Sequence, residues 1–93
     1  MTSKERAKLR GLANRVPSLY QVGKDGISEN MIKQIDDALT ARELIKGNVL
    51  ENSMLSAREA AEALAAKTAS QVVQVIGNKF IIYRRGDKNL CEM

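Results

Sequence analysis

The stretch LYQVGKDGIS, residues 19–28, decides the fold because it joins an apolar run to the start of an amphipathic helix. Its first part, Leu19–Val22, has the length and composition of a short strand. Its last residue, Ser28, can cap a helix that runs to about Ala41. That helix is predicted because apolar residues recur on one helical face, at Met31, Ile32, Ile35, Ala38 and Leu39. The stretch therefore predicts a strand, a tight loop and a helix in direct succession.

The loop in this stretch consists of Gly23, Lys24, Asp25 and Gly26. Its two glycines let a ligand approach the backbone without interference from a Cβ atom. The helix that follows begins with unpaired N–H groups, which favour an anion, and Lys24 adds a cation. The same spacing also makes an ordinary tight turn, so the loop alone leaves a phosphate site and a plain connection as alternatives.

The residues beside the glycines bear on the phosphate-site interpretation. Asp25 would weaken the attraction for a phosphate unless its carboxylate points away or caps the loop. Ser28 caps the helix, while Ile27 and Ile32 are placed as a hydrophobic staple that fixes the angle at which the loop enters it. Lys33 lies on the outer helical face, close enough to the helix start to extend the positive field. Ser28 and Lys33 are therefore candidate site residues together with the loop.

Upstream of the strand, a basic amphipathic helix is predicted from about Ser3 to Arg15. Thr2 and Glu5 have the spacing of a capping box, and Pro17 ends the helix because it supplies no N–H group. Basic residues flank the apolar stripe, and the candidate contacts among them are Lys4, Lys8, Arg10 and Arg15. The pattern fits either a solvated surface or a basic face for a polyanion.

Downstream of the second helix, Leu44–Leu50 has strand composition but contains Gly47-Asn48, which hints at an edge strand or a bulge. An alanine-rich helix is predicted over Ala57–Thr68 behind a second capping box. Val72–Ile76 and Phe80–Arg84 are β-branched or aromatic runs, and the Gly-Asn-Lys connection between them signals a hairpin.

The predicted order, α-β-α-β-α-β-β, gives the fold class as α/β (α+β), a two-layer domain with a four-stranded mixed sheet. The β-α-β part is expected to pair its strands in parallel, and the final hairpin adds antiparallel pairing. Parallel pairing places the glycine loop at the carboxyl end of the first strand, where open α/β sheets usually bind ligands. The predicted core includes Leu12, Ile35, Leu64, Val75 and Ile82. Residues 1–85 are expected to form one domain, and residues 86–93 a polar tail that frays.

The composition excludes much enzyme chemistry. The chain of 93 residues contains no histidine, which excludes a Ser-His triad, histidine acid–base catalysis and an ordinary zinc site. We therefore expect a non-catalytic protein without a cofactor. The single cysteine, Cys91, cannot form an internal disulfide, and six charged residues among the first 20 argue against a signal peptide or membrane span. A cytoplasmic location is the expectation.

The basic charge lies at the two ends of the sequence. Residues 1–24 carry a net charge of +5, residues 25–70 carry −3, and residues 71–93 carry +2. If the fold brings Lys8, Lys24 and Arg84 together, the result is a one-sided basic surface suited to a polyanion. The three aromatic residues are too few for a base-stacking platform, so recognition is expected to rest on backbone and shape.

These segments together resemble a known family, the CRM domain, named for chloroplast RNA splicing and ribosome maturation, in its stand-alone bacterial YhbY-like type. The resemblance spans about residues 2–84. It is carried by LRGLA at 9–13, VGKDGIS at 22–28, ARELIK at 41–46, VQVIGNKF at 73–80 and YR at 83–84. The chain departs from the family pattern at three places: Gly47-Asn48 replaces an apolar-basic pair, Arg85 replaces a common proline, and Asp25 puts a carboxylate inside the glycine loop.

The resemblance implies an RNA-binding module whose fold is similar to the C-terminal domain of a bacterial translation initiation factor. It also implies association with ribosomal RNA in precursors of the large ribosomal subunit, by a protein expected to be a monomer. The family's glycine loop is compared with the G-x-x-G loop of KH domains, which clamps a single-stranded backbone. That role maps here to residues 23–26, and Arg84 and Arg85 are further candidate RNA contacts. The alternative is an adaptor that docks a basic face on an acidic protein partner.

Overall fold

The computed structural model describes residues 1–92, and its elements follow the predicted order. The helices are α1 (Ser3–Ala13), α2 (Glu29–Arg42) and α3 (Ala57–Thr68). The strands are β1 (Ser18–Val22), β2 (Leu44–Val49), β3 (Gln71–Ile76) and β4 (Lys79–Tyr83). The predicted bounds agree with these to within about two residues, which is the usual uncertainty of helix and strand ends. Met93, the last residue of the predicted tail, lies outside the described residues.

Reciprocal hydrogen bonds fix the starts of α1 and α3, as the sequence predicts. Thr2 Oγ1 accepts from the N–H of Glu5 at 3.1 Å, and Glu5 Oε1 accepts from the N–H of Thr2 at 2.8 Å. Ser56 and Glu59 form the same pair of bonds at 3.1 and 3.0 Å. Bonds to the cap backbone first, and to the cap side chain second, lower the pKa of both glutamates. Both capping boxes are confirmed.

The strands form one mixed sheet in the order β1-β2-β4-β3. β1 pairs in parallel with β2, and β4 pairs antiparallel with β2 and β3. The parallel pair and the terminal hairpin are therefore confirmed. The strands have two ends, which we name for later use. At the loop end β1 and β2 finish and β4 starts, at Val22, Val49 and Lys79. At the far end, the opposite end of the same strands, lie Leu44 and Tyr83.

Helices cover both faces of the sheet. One face is buried under α2 and α3, in a cluster centred on Ile35, Leu64, Phe80 and Ile82. On the other face Leu9 of α1 belongs to a second cluster, with Leu44, Val73, Ile81 and Tyr83. The mixed α/β class is confirmed, and the two-layer description is refined, because α1 adds a layer on the opposite face. Among the predicted core residues, Leu12 and Val75 are half-buried and the others fully buried.

Gly47 lies in a central strand, so the suggestion of an edge strand was wrong. A Cβ atom at this position would lie 2.6 Å from Cζ of Phe80 and 3.0 Å from the carbonyl oxygen of Tyr20. The glycine is therefore needed to admit the buried Phe80 ring, not to form an edge. The alternative of a bulge agrees with the structure, because the pairing of β1 with β2 shifts register between Ser18 and Tyr20, opposite Lys46 and Gly47.

The segment after β4 packs against the domain, contrary to the expectation that it frays. Cys91 is 6% exposed and belongs to the cluster beneath α1. The buried carboxylate of Glu43 accepts a hydrogen bond from the N–H of Leu90 at 3.0 Å. Lys8 Nζ donates to the carbonyl oxygen of Glu92 at 2.8 Å. Burial raises the pKa of the Cys91 thiol, which reduces its thiolate fraction.

Candidate nucleic-acid interface

The glycine loop forms a tight turn at the loop end, directly after β1. The N–H of Gly26 donates to the carbonyl oxygen of Gly23 at 3.0 Å and closes the turn. Gly26 has a φ of 69°, which favours glycine. A Cβ atom at Gly23 would make ordinary van der Waals contacts, the nearest at 3.6 Å to Cδ1 of Leu50. The turn conformation therefore calls for glycine at position 26, whereas the fold has room for a side chain at position 23.

Two amides of this turn are available to a ligand. The N–H groups of Lys24 and Asp25 have no hydrogen-bond partner within residues 1–92. The N–H of Gly26 is already bound to the carbonyl oxygen of Gly23, so it is not available to a phosphate. Lys24 is exposed and unpaired in the described chain. The carboxylate of Asp25 accepts no hydrogen bond from any described residue, so it does not cap the loop.

The start of α2 follows the turn closely. Ser28 Oγ accepts a hydrogen bond from the N–H of Met31 at 3.1 Å, so its hydroxyl oxygen serves the helix cap. Ile27 and Ile32 both pack against the core, in agreement with the predicted staple. Lys33 is exposed on the second turn of the helix. The amino end of α2, with its unpaired N–H groups, therefore begins three residues after the glycine turn.

A second loop, the connection from β2 to α3 over residues 50–56, lies beside the glycine turn. The N–H of Leu50 donates to the carbonyl oxygen of Val22 at 2.8 Å, and the N–H of Ser53 donates back to Leu50 at 3.0 Å. Met54 in this loop is 87% exposed. Sequence reasoning missed the loop because its proximity to Gly23 follows from the parallel pairing of β1 with β2.

The predicted contacts of the first helix lie on α1 and the turn after it, on the sheet face opposite α2. All four are exposed: Lys4, Lys8, Arg10 and Arg15. Lys8 holds the carbonyl oxygen of Glu92 and so anchors the tail. Arg6, which was not a candidate, donates to the carbonyl oxygens of Val72 and Val73 at 2.9 and 2.7 Å. The basic residues of α1 therefore include some that hold the fold and some that face solvent.

Arg84 lies at the far end and ties β4 to two helices. Its guanidinium donates to the Asp36 carboxylate at 2.5 Å and to the Asp36 carbonyl oxygen at 2.9 Å. It also donates to Thr40 Oγ1 and to the carbonyl oxygen of Thr68, each at 2.8 Å. The side chain is 23% exposed, so these bonds are partly shielded from water. The sequence analysis grouped Arg84 with the RNA contacts because these partners lie 16 to 48 residues away in the sequence.

The part of the expected basic surface that would join Arg84 to Lys24 is not formed. β2 has six residues, so Arg84 and the glycine turn lie roughly 20 Å apart along the sheet. Arg85 is exposed, and its charge is a minor cause of the lowered pKa of Glu5, after the hydrogen bonds to Thr2. Arg84 and Arg85 therefore belong to the far end, apart from Lys24.

Two lysines that the sequence analysis did not select lie on the sheet near the glycine turn. Lys79 starts β4 at the loop end, and Lys46 lies one row further along β2. Both line a small cavity of about 120 Å³, together with Asn14, Gln74, Ile76 and Ile81. The alternation of side chains along β2, which puts Leu44, Lys46 and Asn48 on one face, was the available signal.

Other site types find no support in the described chain. Within residues 1–92 no group of three or more His, Cys, Asp or Glu side chains could hold a metal ion. None of the helices in this range has the length and apolar character needed to cross a membrane. Phe80 and Tyr83 are buried, and Tyr20 is half-buried against the core beneath α2 and α3. The described surface therefore offers main-chain amides and basic side chains to a ligand, rather than aromatic rings.

The fold and the turn define the class of the protein. It is a small mixed α/β domain with a tight glycine turn between β1 and α2. The family model for the CRS1 / YhbY (CRM) domain matches residues 1–84. The chain belongs to the CRS1/YhbY (CRM) domain family, so the resemblance found in the sequence is confirmed.

Relatives in other organisms resemble the chain over most of its length. It is 45% identical over 89 residues to the probable RNA-binding protein YqeI of Bacillus subtilis, a match that covers 96% of this chain and 93% of YqeI. It is 27% identical over 88 residues to an RNA-binding protein of Haemophilus influenzae, covering 95% of this chain and 89% of the relative.

One solved structure supports the same assignment. It is the solution structure of a hypothetical protein from Staphylococcus aureus for which RNA binding has been suggested. The two chains superpose with a TM-score of 0.75 at 51% sequence identity, over 90% of this chain and 88% of the other. The agreement confirms the fold class.

Proposed function

We propose that this protein is a non-catalytic RNA-binding protein that binds ribosomal RNA in precursors of the large ribosomal subunit. The observation that carries the proposal is the glycine turn, with free amides at Lys24 and Asp25 and an unpaired Lys24 side chain. Membership of the CRM family, whose domain is RNA-binding, supports RNA as the ligand. The ribosomal target rests on the family resemblance. We further propose that the protein acts as a cytoplasmic monomer.

The turn is suited to bind one phosphate of an RNA backbone. The N–H groups of Lys24 and Asp25 donate to its oxygens, and the Lys24 ammonium supplies an opposite charge. The amino end of α2 adds a favourable dipole close to the same phosphate. The absence of a side chain at Gly23 lets the backbone approach closely. Because such contacts do not read bases, we expect recognition by RNA shape and single-stranded character.

Salt titration with a charge variant tests RNA binding at the turn. Affinity for ribosomal RNA fragments should fall steeply as salt rises, since lysine–phosphate contacts release counterions. Lys24→Ala should reduce the slope of log K against log salt by about 0.7–0.9, the contribution of roughly one phosphate. Lys67→Ala is the matched control, because Lys67 is exposed near the end of α3, away from the turn. A flat salt response, or equal slopes for both variants, would contradict the proposal.

A sedimentation experiment tests the ribosomal target. The tagged protein should co-sediment with precursors of the large subunit, and crosslinked RNA should map to large-subunit ribosomal RNA. The Lys24→Glu variant should no longer co-sediment with the precursors, whereas the Lys67→Glu variant should still do so. Association that survives nuclease treatment would contradict the proposal and favour the alternative of an adaptor for an acidic protein.

A further inference from the structure

Part of the sheet face that carries α1 is left uncovered next to the glycine turn. We call this surface the open face and define it by six residues, Gln21, Lys46, Asn48, Gln74, Ile76 and Lys79. The pairing register joins four of them into one row across all four strands, in the order Gln21, Asn48, Lys79 and Ile76. Lys46 and Gln74 lie in the next row, on either side of Ile81.

The open face carries charge of one sign. None of the four described strands contains Asp or Glu, so Lys46 and Lys79 are the charged residues of the sheet. Lys79 is exposed and has no partner within residues 1–92. Lys46 Nζ lies 3.4 Å from the carbonyl oxygen of Ala13, and this long contact leaves its other two donors free. The surface is therefore complementary to a polyanion.

The uncharged residues of the open face suit a nucleic-acid strand. The side-chain amides of Gln21 and Gln74 make no hydrogen bond with the described residues, so both are available to sugars and base edges. Ile76 is 62% exposed and offers an apolar contact. A protein interface would be expected to be more apolar at its centre, and Ile76 is the one apolar member of this surface.

We propose that the open face binds the continuation of the RNA strand held at the glycine turn, with Lys46 and Lys79 each contacting a phosphate. The inference rests on the proposed function and extends it from one phosphate at the glycine turn to a path that the RNA strand follows across the open face. The path starts at Gln21, two residues before Gly23, and crosses four strands at about 4.8 Å spacing, roughly 14 Å in all. A strand of several nucleotides is needed to follow it.

Oligouridylates of increasing length test the path. The double variant Lys46→Ala/Lys79→Ala should bind the shortest RNAs like wild type, because these occupy the turn alone. With longer RNAs its affinity should fall roughly tenfold at moderate salt, and its salt slope should drop by about 1.4, as for two single-strand phosphates. The matched control is Lys67→Ala/Lys88→Ala, which removes two exposed lysines elsewhere and should match wild type at every length.

The outcomes separate this inference from the proposed function. If Lys24→Ala weakens binding while the open-face double variant behaves like the control, the proposed RNA path across the open face is overturned, and RNA binding at the glycine turn is supported. If the open-face variant weakens long RNAs while Lys24→Ala has no effect, the open face is a site of its own and the strand continuity is overturned. An open-face variant that binds RNA normally but loses self-association or a protein partner also overturns the inference.

A measurement on the wild-type protein removes any dependence on variant folding. On addition of a long oligouridylate, the side-chain amide resonances of Gln21, Asn48 and Gln74 should shift in NMR spectra. A short oligouridylate should shift only the turn. Unshifted open-face amides at saturation with the long RNA would overturn the inference.

Discussion

The two ends of the sheet use the same kinds of charged residue in opposite ways. At the loop end, Lys24 and Lys79 have no partner among the described residues, and two main-chain amides of the turn are free. At the far end, the guanidinium of Arg84 donates to Asp36, Thr40 and Thr68. A basic residue that is already satisfied stabilises the fold, whereas one without a partner is free to bind a ligand.

The acidic residues follow the same division. At the far end the buried carboxylate of Glu43 binds the N–H of Leu90 and lies against Gly86, where an added Cβ would come within 2.8 Å of it. At the loop end Asp25 is exposed and accepts no hydrogen bond from residues 1–92. We therefore expect variants of Arg84 and Glu43 to lose stability and variants of the glycine turn to lose RNA affinity.

The largest effect is expected for Arg84→Met, which keeps the apolar stem but removes the hydrogen bonds to both helices. Because the Arg84 guanidinium is partly buried, losing its charged hydrogen bonds should lower the free energy of unfolding by about 2–4 kcal/mol. Urea denaturation measures this loss. The variant should retain RNA affinity at temperatures where it is folded.

Arg85→Met is the matched control for Arg84, because Arg85 is exposed and makes no hydrogen bond within residues 1–92. Its free energy of unfolding should change by less than about 0.5 kcal/mol. Equal losses for the two variants would remove the distinction between satisfied and unsatisfied arginines at this end.

Gly47→Ala should have the next largest effect on stability. The new methyl group would overlap the Phe80 ring and approach the Tyr20 carbonyl oxygen, which should cost about 1–3 kcal/mol. Gly11→Ala is the control, since an added Cβ there meets nothing within 4 Å and alanine favours the helix. Urea denaturation of both variants checks the prediction, and a stable Gly47→Ala protein would refute the packing role of this glycine.

Gly23→Asp should change stability little but reduce RNA affinity, which sets the loop-end glycine apart from Gly47. A Cβ at Gly23 makes ordinary contacts, so the free energy of unfolding should change by less than about 1 kcal/mol. The added carboxylate should repel a phosphate and weaken RNA binding roughly tenfold or more. Filter binding checks this, with Gly23→Ala separating the effect of bulk from that of charge. Unchanged RNA affinity in the aspartate variant would count against the turn.

A small pH effect is expected from the cap of α3. The pKa of Glu59 is lowered by its bonds to Ser56, so these bonds stabilise the fold above the ordinary value of 4.5. That stability is lost as the pH falls through the lowered pKa. Urea midpoints measured against pH should therefore show a shallower acid decline for Glu59→Gln and Ser56→Ala than for wild type. Identical acid profiles would show that this cap contributes nothing measurable.

Much of the fold could be predicted because local signals and long-range packing agree. α3 runs over Ala57–Thr68, as its capping box and alanine pattern predict. α1 ends at Ala13 rather than Arg15, because Asn14 and Arg15 already form the turn that leads to Pro17. Helix caps and helix ends depend on residues that are close in the sequence, so a sequence pattern can predict them.

The roles of single charged residues could not be predicted in the same way. Arg84 and Lys24 look alike in the sequence, and only the folded chain puts Arg84 beside Asp36, which lies 48 residues earlier. Lys46 and Lys79 were missed for the same reason, since their proximity follows from strand register. The tail was misjudged because its anchor, the buried Glu43, precedes it by more than 40 residues in the sequence.

One NMR titration distinguishes RNA binding at the loop end from RNA binding at the far end, where the charged residues hold the fold together. Wild-type protein labelled with ¹⁵N is titrated with a single-stranded RNA, and backbone amide shifts are mapped on the structure. The largest shifts should occur at Lys24 and Asp25, with little change around Arg84 and Thr68. Shifts concentrated around Arg84, with an unchanged glycine turn, would contradict RNA binding at the loop end.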